Sequence, residues 1–248
     1  GFIFGWSPFR MKTTRMVFWL ALAGGAFLLT GCMASRLSVA KDLAQEAHPY
    51  SASPAQPTRS LLVVGDSTAV GTGAARPEES LAGWIGNAHP QWRIDNRAVN
   101  GARFADVVLQ LQAAPAGYDL VLVLAGGNDV IRLTRQDTLR AQLEEVATLA
   151  QQRGSRVVLM PSGNVGHAPF FLPPVSWLMG EGSQNLHAAV QQVAAAHQLR
   201  YVRLLKPKES DPFVAQSDVL HAADGLHPSS AGYQQWFEEL EKQGGLAP

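Results

Sequence analysis

A serine, an acid and an imidazole stand at positions where together they could carry out nucleophilic catalysis. Ser67 comes just after residues 61–65, four apolar residues and a glycine. This pattern is typical of a strand that is buried on both faces of a parallel sheet. Open α/β sheets bind ligands at the carboxyl ends of such strands, so Ser67 is a candidate nucleophile. The alternative is that Asp66 and Ser67 only cap the next helix.

Asp224 and His227 stand three residues apart in a loop before the last predicted helix. A histidine that accepts the proton of a serine needs an acceptor at its other ring nitrogen, which holds the tautomer and stabilises the imidazolium. Asp224 can supply that acceptor, although the spacing also fits a capped loop with a surface histidine. The other histidines show no metal-ligand spacing. Among them, His167 follows the fourth predicted strand on the same side as Ser67, and we leave it out of the site.

The composition excludes several classes of function. The chain has 248 residues, of which 46% are hydrophobic and 16% charged, as expected for one globular domain. Twenty basic residues balance twenty acidic ones, so we expect no nucleic-acid partner. The glycines from Gly65 onward do not complete either phosphate-binding motif, and the single cysteine, Cys32, excludes C-x-x-C metal sites. We therefore expect neither a cofactor nor a metal.

The N-terminal part has the layout of a secretory signal peptide. Basic residues after Met11 precede an apolar run over residues 16–29, which is short for a membrane crossing. The run ends in Leu-Thr-Gly-Cys at residues 29–32, which resembles the bacterial lipobox, whose cysteine becomes the lipidated first residue. We expect an exported lipoprotein with a membrane anchor on Cys32. Met33 in place of an aspartate favours the outer membrane, facing the periplasm. Ordinary cleavage after Ala34, or an uncleaved anchor, are the alternatives.

Three segments follow from these patterns. Residues 1–31 form an N-terminal extension with the signal peptide. Residues 32–58 are rich in Ala, Ser, Pro and Gln, which predicts a flexible tether without regular structure. Residues 59–248 form the folded domain.

Strands and helices alternate along this domain. We predict strands over residues 61–64, 92–99, 119–125, 156–160 and 201–205. Helices are predicted at 79–88, 185–197 and 230–242, with two more carrying apolar faces over 104–111 and 139–149. This alternation predicts a flavodoxin-like three-layer α/β/α sandwich around a mostly parallel five-stranded sheet.

Four short motifs resemble the sequence blocks of the SGNH (GDSL-type) hydrolase family, and they occur in the family's order. They are Gly-Asp-Ser-Thr at 65–68, Asn-Gly at 100–101, Gly-Gly-Asn-Asp at 126–129 and Asp-Gly-Leu-His at 224–227. Thr68 replaces the family's usual leucine, at a position without a chemical role. The family's fold is similar to the sandwich predicted above.

The resemblance implies a serine esterase that works through an acyl-enzyme. By position, Ser67 is the nucleophile, His227 the general base and then acid, and Asp224 its orienting partner. The oxyanion hole is formed by the backbone N–H groups of Ser67 and Gly101 and by the side-chain amide of Asn128. Donors of this kind stabilise the negative charge of a tetrahedral intermediate.

The apolar loop over residues 170–179 bears on the substrate class. It follows the fourth predicted strand, so we expect Phe171 and Trp177 to line an acyl pocket and to favour medium acyl chains, as in a lysophospholipase or thioesterase. Alternatively, the loop covers the core or contacts a partner or a membrane. Two other functions stay open: a carbohydrate O-deacetylase, and a non-enzymatic envelope lipoprotein that binds acylated or glycan ligands.

Overall fold

Five parallel strands form the centre of the domain in a computed structural model that describes residues 34–247. The spatial order is β2-β1-β3-β4-β5, which is the doubly wound, flavodoxin-like order. The predicted fold class is therefore confirmed. The strands are β1 (Arg59–Gly65), β2 (Trp92–Asn96), β3 (Leu120–Leu124), β4 (Val157–Leu159) and β5 (Arg200–Tyr201).

Helices cover both faces of this sheet. They are α1 (34–46), α2 (Ser67–Val70), α3 (Leu81–Ala88), α4 (Phe104–Ala113), α5 (Gly127–Ile131), α6 (Gln136–Arg153), α7 (Val175–Ala196), α8 (Pro212–Ala215), α9 (Ser217–Leu220) and α10 (Ser230–Lys242). Short 3-10 helices lie at Pro77–Glu79, Val165–His167 and Lys208–Ser210. None of the helices within residues 34–247 has both the length and the apolar character needed to cross a membrane.

The two faces of β1 bury side chains in two separate cores, because successive side chains of a strand point in opposite directions. Leu62 and Val64 pack with α4, α6 and α7 on one side of the sheet. Leu61 and Val63 pack with α3 and α10 on the other side. β1 is thus enclosed by β2, β3 and both helical layers, which holds its carboxyl end in place.

Two elements differ in length from the predictions. α7 begins at Val175, ten residues before the predicted start, because Pro173 and Pro174 precede its first turn instead of interrupting it. β5 is only two residues long, whereas 201–205 was predicted. Beyond its end, the side chain of Gln243 bonds both the N–H and the carbonyl of Arg203, in the place of a neighbouring strand.

The prediction of a flexible tether over residues 32–58 is wrong for the described part of that segment. Residues 34–46 are helical, and partly buried positions recur at a spacing of three and four residues, which is the pattern of a helix packed on one face. The carbonyl of Ala44 accepts a hydrogen bond from Asn100 at 2.7 Å. Ala52 then forms an antiparallel bridge with Ile94. The prolines stop regular structure only after α1. Cys32 and the predicted signal peptide lie outside the described residues.

Candidate active site

The turn after β1 presents Ser67 at the carboxyl edge of the sheet. Gly65 has a φ of +149°, and a Cβ there would lie 1.8 Å from the carbonyl oxygen of Leu124, so only glycine fits. Asp66 then caps α2. Its side chain accepts two hydrogen bonds from Thr68, one from the backbone N–H at 2.9 Å and one from the hydroxyl at 2.7 Å. Ser67 is the first residue of α2. Capping and presentation of the serine are therefore parts of one turn.

Gln110 of α4 holds this turn through two hydrogen bonds to the backbone of Gly65. Its side-chain oxygen accepts from the N–H of Gly65 at 2.8 Å, and its side-chain nitrogen donates to the carbonyl of the same residue at 2.9 Å. The amide thus satisfies both backbone groups at the point where the strand ends. Sequence reasoning missed this residue, because a glutamine on an apolar helical face has no distinctive spacing relative to the serine.

A chain of two hydrogen bonds joins Ser67, His227 and Asp224. Nε2 of His227 lies 2.9 Å from the Oγ of Ser67, and its Nδ1 lies 2.6 Å from Oδ2 of Asp224. Asp224 is fully buried, and His227 is nearly so. Since a carboxylate can only accept, Nδ1 carries the proton and Nε2 has a free lone pair toward the serine hydroxyl. This is the arrangement in which an imidazole can act as a base.

Asp224 remains ionised beside this imidazole. Burial by itself raises the pKa of its carboxyl, but the bond and charge of His227 and the N–H groups of Leu226 and His227 together hold the pKa below the usual value. Those two N–H groups donate to Oδ1 at 2.9 and 3.0 Å. The carboxylate is therefore held in place by its own loop.

The three predicted oxyanion donors differ in how they are placed. The backbone N–H groups of Ser67 and Gly101 donate to no acceptor among residues 34–247. Asn128 lines the same cavity as Ser67. Its side-chain nitrogen donates one proton to the carbonyl of Ala102 at 3.2 Å, which leaves the second proton for a ligand. Gly101 does not itself line the cavity, but Asn128 joins its loop to α5 through Ala102.

Asn100 and Asp129 hold the loops that carry these donors. Asn100 accepts from the hydroxyl of Thr72 at 2.7 Å, so the loop after β2 is tied to the chain after α2. Asp129 accepts from the N–H of Phe104 at 3.1 Å and from the hydroxyl of Thr134 at 3.0 Å. These bonds join α5 to α4, so Asp129 has a structural part in the site.

A second acid–imidazole pair lines the same cavity. Nδ1 of His167 lies 2.7 Å from Oδ2 of Asp211, and its Nε2 lies 3.1 Å from the side-chain nitrogen of Asn164. The pair bridges the loop after β4 and the start of α8. Sequence reasoning left His167 out, because its partner stands 44 residues away and no local pattern connects them.

His187, on α7, anchors the loop after β4 from the interior. Its Nε2 donates to the carbonyl of Ser162 at 2.7 Å, and its Nδ1 accepts from the hydroxyl of Tyr201 at 2.6 Å. Burial lowers the pKa of His187 to about 4, so the imidazole is neutral at neutral pH. Ser162 itself lines the cavity, and its position is therefore tied to α7 and β5.

The cavity beside Ser67 opens to solvent and encloses about 100 Å³. Its polar lining consists of Ser162, Asn164, His167, Asp211 and His221. Its apolar lining includes Ile131, Val165, Leu204, Phe213 and Trp236.

Phe171 and Trp177 do not line this cavity, so the structure does not place them in the predicted acyl pocket. Phe171 packs on the core formed with α4, α6 and α7. Trp177 is 71% exposed in the first turns of α7. Because Trp177 lies in the first turn of α7, the inward positions there go to Ser176 and Met179, and Trp177 is turned to the surface.

Asp66 is a second buried carboxyl group that lines the cavity, in addition to Asp211. Its removal from water raises its pKa to about 6, against the lowering effect of its bonds from Thr68. No imidazole bonds to it among the described residues, which distinguishes it from Asp211 and Asp224. No group of three or more His, Cys, Asp or Glu side chains within residues 34–247 has the arrangement of a metal site.

Comparison with known proteins agrees with this geometry. Residues 63–235 match the GDSL-like Lipase/Acylhydrolase family, so the chain belongs to that family of hydrolases. The match runs from β1 into α10 and includes all four motifs. The resemblance seen in the sequence is thus confirmed.

The individual relatives share only a low sequence identity with this chain. A GDSL-like esterase from Mycobacterium tuberculosis is 26% identical over 184 residues, which cover 70% of this chain but only 57% of that protein. An extracellular lipase from Streptomyces rimosus has a TM-score of 0.59 at 20% identity, over 75% of this chain and 100% of that one. A mutant of an acetylxylan esterase from Geobacillus stearothermophilus has a TM-score of 0.56 at 19% identity, over 76% and 95%. The two structures are similar in fold.

Proposed function

We propose that this protein hydrolyses carboxylic esters through an acyl-enzyme formed on Ser67. The observation that carries the proposal is the hydrogen-bond chain from Asp224 through His227 to the Ser67 hydroxyl. The orientation of the chain leaves the base nitrogen facing the nucleophile. Membership of an acylhydrolase family supports the same reaction.

In the first half of the reaction, Oγ of Ser67 attacks the ester carbonyl while Nε2 of His227 takes the hydroxyl proton. Asp224 stabilises the imidazolium that forms. The tetrahedral intermediate then collapses, the bond to the alkoxy group breaks, and Nε2 returns the proton to the departing alcohol. Water, deprotonated by the same nitrogen, then attacks the acyl-enzyme. The second tetrahedral intermediate collapses, which releases the acid, and the proton on Nε2 returns to the Oγ of Ser67.

The negative charge of each tetrahedral intermediate needs donors that are already in place. The N–H groups of Ser67 and Gly101, which have no acceptor in the described part of the chain, and the second proton of the Asn128 amide can supply them. Donors held by the protein need not reorganise as the charge forms, which lowers the barrier relative to water.

For the substrate, we propose esters of medium-length acyl chains. The residues proposed to bind the acyl chain differ from Phe171 and Trp177, which were predicted from the sequence. The apolar wall formed by Leu204, Phe213 and Trp236 lies in the same cavity as Ser67. Each methylene buried there would contribute about 0.8 kcal/mol. A second candidate is a carbohydrate O-deacetylase, which the polar wall at Asn164, His167 and Asp211 and the fold of an acetylxylan esterase favour.

A chain-length series separates these two substrates. With p-nitrophenyl esters from acetate to decanoate, kcat/KM should rise severalfold per two carbons to an optimum, and Phe213→Ala should flatten that rise. Phe171→Ala is the matched control, because Phe171 packs on the core and should leave the profile unchanged. An enzyme fastest on acetate in all three forms would favour the deacetylase.

Labelling with a fluorophosphonate tests the enzyme against the non-enzymatic alternative. The reagent should attach to Ser67, and Ser67→Ala should abolish both labelling and turnover while the circular dichroism spectrum is unchanged. A folded Ser67→Ala protein with full ester turnover would contradict the mechanism. A wild-type protein that binds esters without turnover would instead favour a binding lipoprotein.

We also propose that the protein is exported and anchored through a lipid on Cys32, as the signal-peptide layout of its N-terminus supports. When it is expressed with its own N-terminus, the protein should incorporate labelled palmitate, and Cys32→Ser should remove the label. An intact mass that fits an unmodified chain beginning at Ser35 would contradict the anchor.

A further inference from the structure

Large apolar side chains are exposed along the edge of the sheet that carries the catalytic group. Of the nine exposed large hydrophobic residues among residues 34–247, seven lie in the loops, the short helices and the first turns of α7 that follow the carboxyl ends of β2 to β5. They are Val99, Leu133, Leu172, Val175, Trp177, Leu178 and Val219. Single exposed apolar residues are ordinary on a protein surface, whereas a concentration at one edge indicates an interaction site.

The densest part of this edge, which we call the apolar rim, consists of Leu133, Leu172, Val175, Trp177 and Leu178. Four of these residues fall within one stretch of seven, and Leu133 and Leu178 line the same surface depression. Trp177 is 71% exposed. A tryptophan combines a large apolar ring with a polar N–H, and such residues collect where hydrocarbon meets water.

The apolar rim adjoins the cavity of Ser67. The loop over residues 162–168 lines that cavity, and its Gly166 packs so closely on α7 that a Cβ would lie 2.3 Å from the carbonyl oxygen of Ser176. The outward side chains of the same turns of α7 belong to the rim. A flat partner that covered the rim would therefore also lie beside the mouth of the cavity.

α1 brings the N-terminal part of the chain to this same edge. The guanidinium of Arg36 donates to the carbonyl of Pro169, three residues before Leu172. Leu37 is 63% exposed beside it. The proposed lipid anchor, Cys32, stands two residues before residue 34, and two residues of chain span at most about 7 Å. A domain of this size is about 40 Å across, so a membrane that holds the lipid lies on the rim's side.

We propose that the apolar rim is a membrane-docking surface, which seats the catalytic edge of the sheet on a phospholipid bilayer beside the anchored N-terminus. This inference uses the proposed membrane attachment, and it does not depend on the reaction. Docking would bring the cavity of Ser67 to the headgroup region, where esters with acyl chains of membrane origin are concentrated.

Quenching of tryptophan fluorescence by brominated phospholipid tests the docking directly. The full chain is reconstituted in vesicles of phosphatidylethanolamine and phosphatidylglycerol, with or without acyl-chain bromine. Wild type should show a quenched component that Trp177→Phe lacks. In the Trp177→Phe background, Leu178→Trp should restore the component, and Leu109→Trp should not. Leu109 is the matched control, because it is 61% exposed on α4, away from the rim.

Several outcomes would overturn the proposal. Equal quenching in wild type and Trp177→Phe would show that the rim stays in water. A chain that does not associate with the vesicles would exclude docking altogether. Shielding of Trp177 in the absence of lipid, with no effect of bromine, would show that a second copy of the chain covers the rim.

Kinetics give an independent measure. Leu172→Ser and Leu178→Ser should each lower the rate on an ester presented in vesicles about tenfold, since one buried leucine changes a partition equilibrium by about that factor. Their rates on dissolved p-nitrophenyl acetate should match wild type, as should both rates of Leu109→Ser. Equal losses on both substrates would contradict docking. A wild type inactive on every ester would refute the proposed reaction and leave the fluorescence test valid.

Discussion

Two acid–imidazole pairs share one cavity, and their bond lengths are nearly equal. Asp224 and His227 lie 2.6 Å apart, and Asp211 and His167 lie 2.7 Å apart. The pairs differ at the other ring nitrogen, where His227 faces the hydroxyl of Ser67 and His167 faces the amide nitrogen of Asn164. Both histidines have an acid partner, so the acid does not show which of them can act as a base. The group that faces the other ring nitrogen does.

The orientation of Asn164 determines the role of His167. Its side-chain oxygen accepts from the N–H of Gly166 at 2.9 Å, so its nitrogen is the atom that faces Nε2 of His167. Because an amide nitrogen only donates, Nε2 must accept, and its lone pair is occupied. His227 instead faces a hydroxyl that can give up its proton. We therefore assign base chemistry to one pair and loop attachment to the other.

Replacing each histidine by alanine should produce the largest contrast. His227→Ala should lower kcat on a p-nitrophenyl ester by about 10⁴-fold or more, because no base remains to take the serine proton. His167→Ala should lower it less than about tenfold, since that imidazole only positions a loop. Steady-state kinetics on folded variants measure both. Comparable losses in the two variants would refute the distinction.

The two asparagines of the cavity extend the contrast to the oxyanion. Asn128→Ala should lower kcat by about 10²- to 10³-fold with a smaller change in KM, because its free proton acts mainly in the transition state. Asn164→Ala should leave kcat within about tenfold, because the amide of Asn164 holds the loop after β4 through Gly166 and His167. A loss confined to KM in Asn128→Ala would make it a ground-state binding residue.

Asp66 is a buried acid to which no imidazole bonds among the described residues. The pH dependence of stability at this position therefore shows how such a carboxyl titrates. Its pKa rises to about 6 in the folded state from 3.8, so the folded state favours the protonated form. The stabilisation from that proton is complete below pH 3.8 and is lost as pH rises through about 6. Between pH 4 and 7, wild type should lose about 2 to 3 kcal/mol of unfolding free energy relative to Asp66→Asn, which keeps the helix cap.

Urea unfolding of both proteins across this pH range measures the difference, and subtraction removes the titration of all other groups. A difference that is independent of pH would show that Asp66 is ionised throughout. The pKa of Asp224 is lowered beside His227. We therefore expect that Asp224→Asn, unlike Asp66→Asn, does not gain unfolding free energy relative to wild type as the pH rises from 4 to 7. The imidazole would then be the reason why the pKa of Asp224 is lowered and that of Asp66 is raised.

The sequence by itself determined the sheet and the catalytic group. Continuous apolar runs such as residues 61–64 have no solvent face, so they predict central parallel strands whatever the rest of the chain does. Asp224 and His227 lie in one loop, and the resemblance of the four motifs to one family is what joined this pair to Ser67. Ser67 follows from the capped turn at the end of β1. Each inference depends on neighbours along the chain.

The surroundings of that group depend on contacts between distant segments. His167 meets Asp211 only because the loop after β4 folds against α8, and Gln110 reaches Gly65 only because α4 lies under β1. Phe171 and Trp177 follow the predicted strand, yet Phe171 packs on the core, and the early start of α7 turns Trp177 to the surface. Composition predicted a free tether before residue 59, but α1 has a place to pack once the sheet exists. Side-chain direction and packing partners are properties of the assembled layers, so only the tertiary structure decided them.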